Sequence, residues 1–309
     1  MTNNSLVIDL FGESRLGLGC MALTGLFGRV DRRTAIKTIH CALELGIRHF
    51  DTAELYCPYV NEETLAEALG SQSGRTTVAT KVGYRLVGGK IAGLDSRPQS
   101  LRRAIEGSLT RLRRDRIDLV YQHRQDPDVP VEEVIGTLIQ LQAEGKIGGI
   151  GLSAIDNMTF ARAGVVSAIT AVQNEYSLLH RESELNLLAK VVDSHTAFVA
   201  YSPLARGLLS GTVRSWSQQD NDDYRRSDKR FSPDQLAITM DRVAALHQIA
   251  ADRQVAPPVV ALSWLLNRSS DLAVIPGCKS PAQISMAMEA VQFELSADES
   301  ERLDAIGLI

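Results

Sequence analysis

Four side chains in the first half of the chain carry the types and spacing that could do chemistry. Asp51 ends the apolar run His49-Phe50-Asp51, Lys81 ends Val78-Ala-Thr-Lys81, and His123 ends Leu119-Val-Tyr-Gln-His123. Tyr56 follows Asp51 by five residues, in the segment leaving the same run. A phenol with a pKa near ~10 is a poor proton donor at neutral pH unless its phenolate is stabilised. A lysine ammonium within about 4–6 Å does this. A carboxylate such as Asp51 would pair with the lysine, keep it charged and fix its position. A histidine on the far side can hydrogen-bond a substrate oxygen. The set suits giving a proton to a carbonyl oxygen as the carbon receives a hydride, and that reaction needs no metal. Singly, each residue also has an ordinary reading: Asp51 as a helix cap, Lys81 as a solvated loop lysine, His123 as a core histidine, Tyr56 as packing. Their joint placement at the ends of neighbouring runs is what favours catalysis.

Such placement requires elements that bring those ends together. Short apolar runs alternate with amphipathic stretches at 15–22, 49–53, 76–83, 118–123, 148–154, 169–176, 197–203 and 271–277. Each is bounded by turn residues and suits a buried parallel strand. Between them, Ala35, Ile36, Ile39, Ala42 and Leu43, and again Val134, Leu138 and Leu141, recur at helical spacing. Eight strand–helix units predict a (β/α)8 TIM barrel, whose strand C-termini form the active-site mouth. Two additions break the regularity. Residues 1–14 form a short extra segment, and the alternation in SLVIDLFGES predicts a strand or hairpin there. A long insertion separates the seventh and eighth runs: the polar tract 214–231, a lid candidate, then a helical stretch from about Pro233 to Arg253.

Composition agrees with this class. The 309 residues are 44% hydrophobic, with 33 Lys+Arg against 37 Asp+Glu and a formal net charge of -4. The length would admit two domains, but α/β barrels fill it as one, and residues 1–309 read as a single barrel domain. The mild acidity gives no electrostatic case for nucleic acid or an anionic membrane as partner. Cys20, Cys41, Cys57 and Cys278 are scattered, with no disulfide framework or zinc knuckle. With no signal peptide or spanning run, the default location is the cytoplasm. Gly17-Leu-Gly19-Cys-Met-Ala22 matches a dinucleotide fingerprint on paper, but no helical period follows, so the glycines more simply serve a strand-end turn. His40 and His49 lack a partner pattern and read as structural.

These residues resemble the aldo-keto reductase superfamily. Phe50-Asp-Thr-Ala-Glu-Leu-Tyr56 followed by Asn61-Glu62 is similar to its FDTAxxYG…NE signature, and Lys81 and His123 complete its tetrad. The likeness extends through Gly151-Leu-Ser153, Gln173-Asn-Glu-Tyr176, Tyr201-Ser-Pro-Leu204 with Arg206-Gly207, and Ile275-Pro-Gly277 with Lys279. The run Tyr121-Gln-His-Arg-Gln-Asp-Pro127 resembles a microbial and plant subgroup, family 13, that includes perakine-reductase-like enzymes. The resemblance implies a barrel that binds NADPH, with NADH as the alternative, and a small-molecule carbonyl substrate. Tyr56 would be the general acid, Lys81 and Asp51 would tune it, and His123 would orient the carbonyl. Ser153 and Gln173 would hold the carboxamide, and Tyr201 would stack on the nicotinamide. Ser202, Pro203, Leu204 and Arg206 would meet the pyrophosphate. Lys279, with Ser280 and Gln283 beside it, would face the adenosine 2′-phosphate.

The chain departs from that pattern in three places. Cys57-Pro58-Tyr59 follows the tetrad tyrosine where the family usually has Gly, and Cys57 reads as a space-filler or a reactive thiol. Met286-Ala287 replaces a Glu-Asn pair that helps clasp the adenosine, and Ser280 replaces an arginine. Ala154 stands where many relatives carry Asn. Two other classes compete: an NADPH-binding regulatory subunit with little turnover, like the potassium-channel β subunits of this fold, and a Schiff-base lyase using Lys81. The second is disfavoured because Asp51 would keep Lys81 protonated. Substrate identity and oligomeric state are not legible.

Overall fold

The computed structural model of the chain describes residues 6–25, 28, 30–213 and 223–307. Eight parallel strands form one sheet. They are β1 (Leu18–Gly19), β2 (His49–Asp51), β3 (Thr77–Val82), β6 (Ile117–Gln122), β7 (Ile147–Ser153), β8 (Ala171–Glu175), β9 (Ala197–Tyr201) and β10 (Leu272–Val274), hydrogen-bonded in that order. β4 (Tyr84–Val87) and β5 (Lys90–Leu94) make a separate antiparallel hairpin. Parallel bridges Leu16↔Val274 and Gly19↔Gly277 join the first strand to the last, so the sheet curls into a (β/α)8 barrel. All eight expected runs are strands of this sheet. The first is shortened, because Cys20–Thr24 turns into a 3-10 segment. No α-helix starts there, as the failed fingerprint anticipated.

The helices bury the stripes that their spacing predicts. Ala35, Thr38, Ile39 and Ala42 of Arg32–Glu44 face the core, as do Val131, Val134, Ile135, Leu138 and Leu141 of Val131–Ala143. Parallel strands covered by helices are buried on both faces, which is why β2 and β10 are buried at every residue without alternation.

The N-terminal expectation is corrected. Leu6–Phe11 is an α-helix, not a strand or hairpin. Val7 and Phe11 lie four residues apart, on one helical face, and both pack against the inward-facing Ala79, Leu119, Ala171 and Val199 of the barrel. The alternation came from residues on either side of that face. The Pro233–Arg253 stretch forms two helices, Pro233–Arg242 and Ala244–Asp252. Of the lid candidate, residues 214–222, with Trp216, lie outside the described residues. Residues 223–231 fold as two short 3-10 turns, anchored by buried Phe231.

Candidate active site

Register delivers the four residues to one place. Asp51 pairs with Ala79 across β2 and β3, so Lys81 sits one pleat nearer the mouth on the same face. Lys81 pairs in turn with Tyr121 of β6, and the His123 amide donates to the Val82 carbonyl (2.8 Å) just past the strand end. Buried Lys81 spends all three of its protons. Its Nζ donates to Asp51 Oδ1, to the Thr52 carbonyl (3.0 Å) and to the Tyr56 hydroxyl (3.0 Å). The other Asp51 oxygen accepts from Gln173 Nε2 (2.7 Å). Because Tyr56 only accepts from Lys81, its own hydroxyl proton stays available for transfer.

Burial sets the protonation states. It would lower the Lys81 pKa, but Asp51 and Tyr56 outweigh it and hold the ammonium above its ordinary value. Burial raises Asp51, with Lys81 and Gln173 pulling it back. Tyr56 lies above its ordinary value, because burial exceeds the downward pull of Lys81. The lysine therefore acts as expected, yet it does not make the phenol acidic in the resting protein. His123 is held well below its ordinary value by burial, then by Lys81 and Arg124, and is a neutral imidazole at pH 7. Its Nδ1 is buried with no hydrogen-bond partner among the described residues, and its ring meets those of Tyr56 (5.9 Å) and Tyr84 (5.1 Å) edge-on.

The Asn61-Glu62 pair fastens the loop that carries Tyr56. Asn61 accepts from Thr52 (2.6 Å) and donates to the Cys20 carbonyl (2.8 Å) and Thr24 hydroxyl (3.0 Å). Glu62 binds Thr80 and Arg111, both at 2.6 Å. Cys57 and Tyr59 take left-handed backbone conformations, with φ 39° and 75°. The half-buried Cys57 thiol meets the Thr24 carbonyl, and Tyr59 lies under the Arg111 guanidinium at 4.4 Å.

The expected cofactor residues lie on the later strands and in the segments that follow them. Buried Ser153 ends β7. Gln173, on β8, spends its amide nitrogen on Asp51, which makes it a brace for the ion pair as well as an expected carboxamide contact. Tyr201 ends β9. Ser202, Ala205, Arg206 and Gly207 then have positive φ (49°, 48°, 57° and 101°), a backbone that makes an anion-binding concavity. Phosphate sites in this architecture commonly follow the seventh and eighth strands. Pro203 and Leu204 lie in that turn. The Arg206 side chain pairs with Asp228 (2.8 Å) and Glu175 (3.9 Å). Lys279 precedes the helix Pro281–Glu289, where Ser280 accepts from the Gln283 amide (3.4 Å) and Gln283 Oε1 accepts from the Lys279 amide (2.7 Å). A cation at a helix N-terminus suits a phosphate. Ala287 is buried and Met286 packs against the core. This backbone and cation set fits a nicotinamide dinucleotide.

A sequence profile of the Aldo/keto reductase family matches residues 15–307. The chain belongs to the aldo/keto reductase family. This aldo/keto reductase is thus an oxidoreductase of carbonyl or alcohol groups. It is similar to the glycerol dehydrogenase AKR11B4 from Gluconobacter oxydans (29% identity, TM-score 0.86), covering 94% of this chain and 90% of that one. It is also similar to the holo form of the aldo-keto reductase AKR11C1 from Bacillus halodurans (27%, TM-score 0.76, covering 95% and 92%). A third similar structure is the thermostable aldo-keto reductase Tm1743 in complex with the inhibitor epalrestat (25%, TM-score 0.76, covering 95% of each).

Sequence reasoning missed several residues at the mouth of this aldo/keto reductase. Tyr84, against His123, sits on the β4–β5 hairpin, whose signal was the Gly88-Gly89 turn between strand-like residues. Glu54 is buried behind the Tyr56 loop, and its Oε1 has no hydrogen-bond partner among the described residues. Burial first, then Glu62, pushes its carboxyl up to about 7, while Arg111 draws it down. Gly151 leaves room for Tyr121, whose ring would lie 2.3 Å from a Cβ there. Among the described residues no helix is long and apolar enough to cross a membrane.

Proposed function

We propose that this aldo/keto reductase, read as one barrel domain over residues 1–309, reversibly reduces an aldehyde or ketone to the alcohol with NADPH. The observation that carries this reading is the hydrogen-bonded chain Asp51–Lys81–Tyr56 beside neutral His123. When bound, the nicotinamide supplies the hydride. The chain does the rest. His123 and Tyr56 hold the carbonyl oxygen, and Tyr56 gives it a proton as negative charge develops there. Lys81 stabilises the phenolate left behind, and Asp51, braced by Gln173, keeps Lys81 charged and in place. Ser153 and Tyr201 would seat the nicotinamide, the turn from Ser202 to Arg206 the pyrophosphate, and Lys279 the 2′-phosphate. The motif around His123 favours the family 13 subgroup. Four free thiols fit a reducing cytoplasm.

Tyr56→Phe tests the assignment. Reduction of 4-nitrobenzaldehyde, followed at 340 nm, is expected to fall by at least about 100-fold, the low end for a positioned acid. NADPH binding, followed by fluorescence, is expected to persist. Retention of most of the rate would show that Tyr56 is not the acid. A parallel run with NADH tests the cofactor preference.

A further inference from the structure

Several cations around the mouth have carboxylate partners among the described residues, and Arg124 differs from them. Lys81 pairs with Asp51, Arg206 with Asp228, Arg230 with Glu175, Arg225 with Asp223 and Arg111 with Glu62. Arg124 follows His123 directly and is half-buried, yet no described carboxylate lies within 4.0 Å of its guanidinium. Its Nη1 donates to the His123 carbonyl (2.6 Å) and reaches the Ser153 hydroxyl at 3.4 Å. The guanidinium carbon stands 5.9 Å from the centre of the Tyr201 ring. Nε and Nη2 donate to no described protein atom. These two nitrogens form the edge of the guanidinium fork that matches a carboxylate in a bidentate pair.

Position makes the unpaired cation informative. Arg124 lies beside the residue that would orient the carbonyl, and its charge is felt by Tyr56, His123 and Tyr201. Drawing a cation partly out of water without a counter-ion is costly, and a ligand that brings the anion removes that cost. Arg111, Arg206, Arg225 and Arg230 are already neutralised by protein carboxylates.

We propose that Arg124 is a specificity-determining residue that binds a substrate carboxylate, so that the preferred substrates are acidic aldehydes or ketones. The carboxylate docks on the Nε/Nη2 edge while the carbonyl lies against Tyr56 and His123. This rests on the carbonyl-reductase reading above and names its substrate class.

The test compares each acid with its own neutral ester. Wild type, Arg124→Gln and Arg124→Lys are assayed with NADPH on 4-carboxybenzaldehyde and succinic semialdehyde and on the methyl ester of each. The readout is the acid-to-ester ratio of kcat/KM, with the NADPH dissociation constant from fluorescence as the check on folding. Wild type is expected to favour the acids by about ten-fold or more, the scale of one charge-assisted pair. Arg124→Gln should bring the ratio toward one, chiefly through KM for the acids, and Arg124→Lys should retain part of the preference. A wild-type ratio at or below one overturns the proposal, as does a ratio unchanged in Arg124→Gln. Weakened NADPH binding with an unchanged ratio would give Arg124 to the cofactor instead. If wild type reduces neither acids nor esters, the carbonyl-reductase reading itself fails and the inference falls with it.

Discussion

Asp51 and Lys81 form a buried ion pair whose desolvation is offset because both ends are fully engaged, the ammonium by three acceptors and the carboxylate by Lys81 and Gln173. Glu54, only a few residues away, lacks that compensation. Its folded pKa of about 7 lies above the ordinary 4.5. The protonated carboxyl is therefore favoured in the folded state, and the stability it contributes is complete below about pH 4.5 and lost as pH rises through 7. The upper bound on that loss is about 3.5 kcal/mol, at about 1.4 kcal/mol per pH unit. Glu54→Gln cannot ionise, so its melting temperature should exceed that of wild type at pH 8 and converge with it near pH 5. His123, held below its ordinary value, gives the opposite slope, losing stability as pH falls below 6.5. The variant-minus-wild-type difference is thus the quantity to read. An equal difference at both pH values would remove Glu54 from this role.

At the scale of elements, each end of the barrel is finished by a piece outside the strand–helix repeat. The helix Leu6–Phe11 closes the bottom, where Phe11 stacks on buried His49 with ring centres 3.8 Å apart. Burial drives the His49 pKa down to about 3, against a smaller upward pull from the Leu10 backbone. This end is apolar and distant in function from the mouth. Phe11→Ala is expected to cost about 3–5 kcal/mol in urea unfolding, as for a buried aromatic, with kcat/KM nearly unchanged. A variant that unfolded normally but lost turnover would place the helix in the catalytic machinery. At the mouth, the 223–231 turns tie the insertion to the strand ends through Asp228–Arg206 and Arg230–Glu175. The β4–β5 hairpin adds Tyr84 on the other side.

At the scale of the whole molecule, barrel closure depends on a short seam. Gly19 bridges Gly277, its amide donates to the Pro276 carbonyl (3.1 Å), and a Cβ on Gly19 would lie 2.7 Å from the Ile275 carbonyl oxygen. That contact is backbone, so it cannot rotate away. Gly19→Ala should cost about 1–3 kcal/mol, the range for overpacking, in chemical denaturation. It should also lower the catalytic rate, because β1 braces β2 at Gly19↔Asp51. Wild-type stability in that variant would mean that the seam opens freely.

Much of this architecture was legible in the sequence. Eight buried runs separated by helical stripes imply parallel strands, and a polar residue closing three of them marks the mouth, because chemistry in a barrel gathers where strands end. The amino-acid sequence by itself determined the eight barrel strands, the positions of Asp51, Tyr56, Lys81 and His123 on or beside them, and the family. It did not reveal that Gln173 braces Asp51, that Glu54 is stranded beside Glu62, or that no described carboxylate pairs with Arg124. Nor did it show that Leu6–Phe11 is a helix, since six residues fit two periods and only the apolar barrel floor selects one. Those outcomes depend on contacts between residues far apart in the chain, 122 residues in the case of Gln173 and Asp51. Burial and pairing are properties of the assembled barrel, and tertiary structure alone decides which charges are neutralised within the protein.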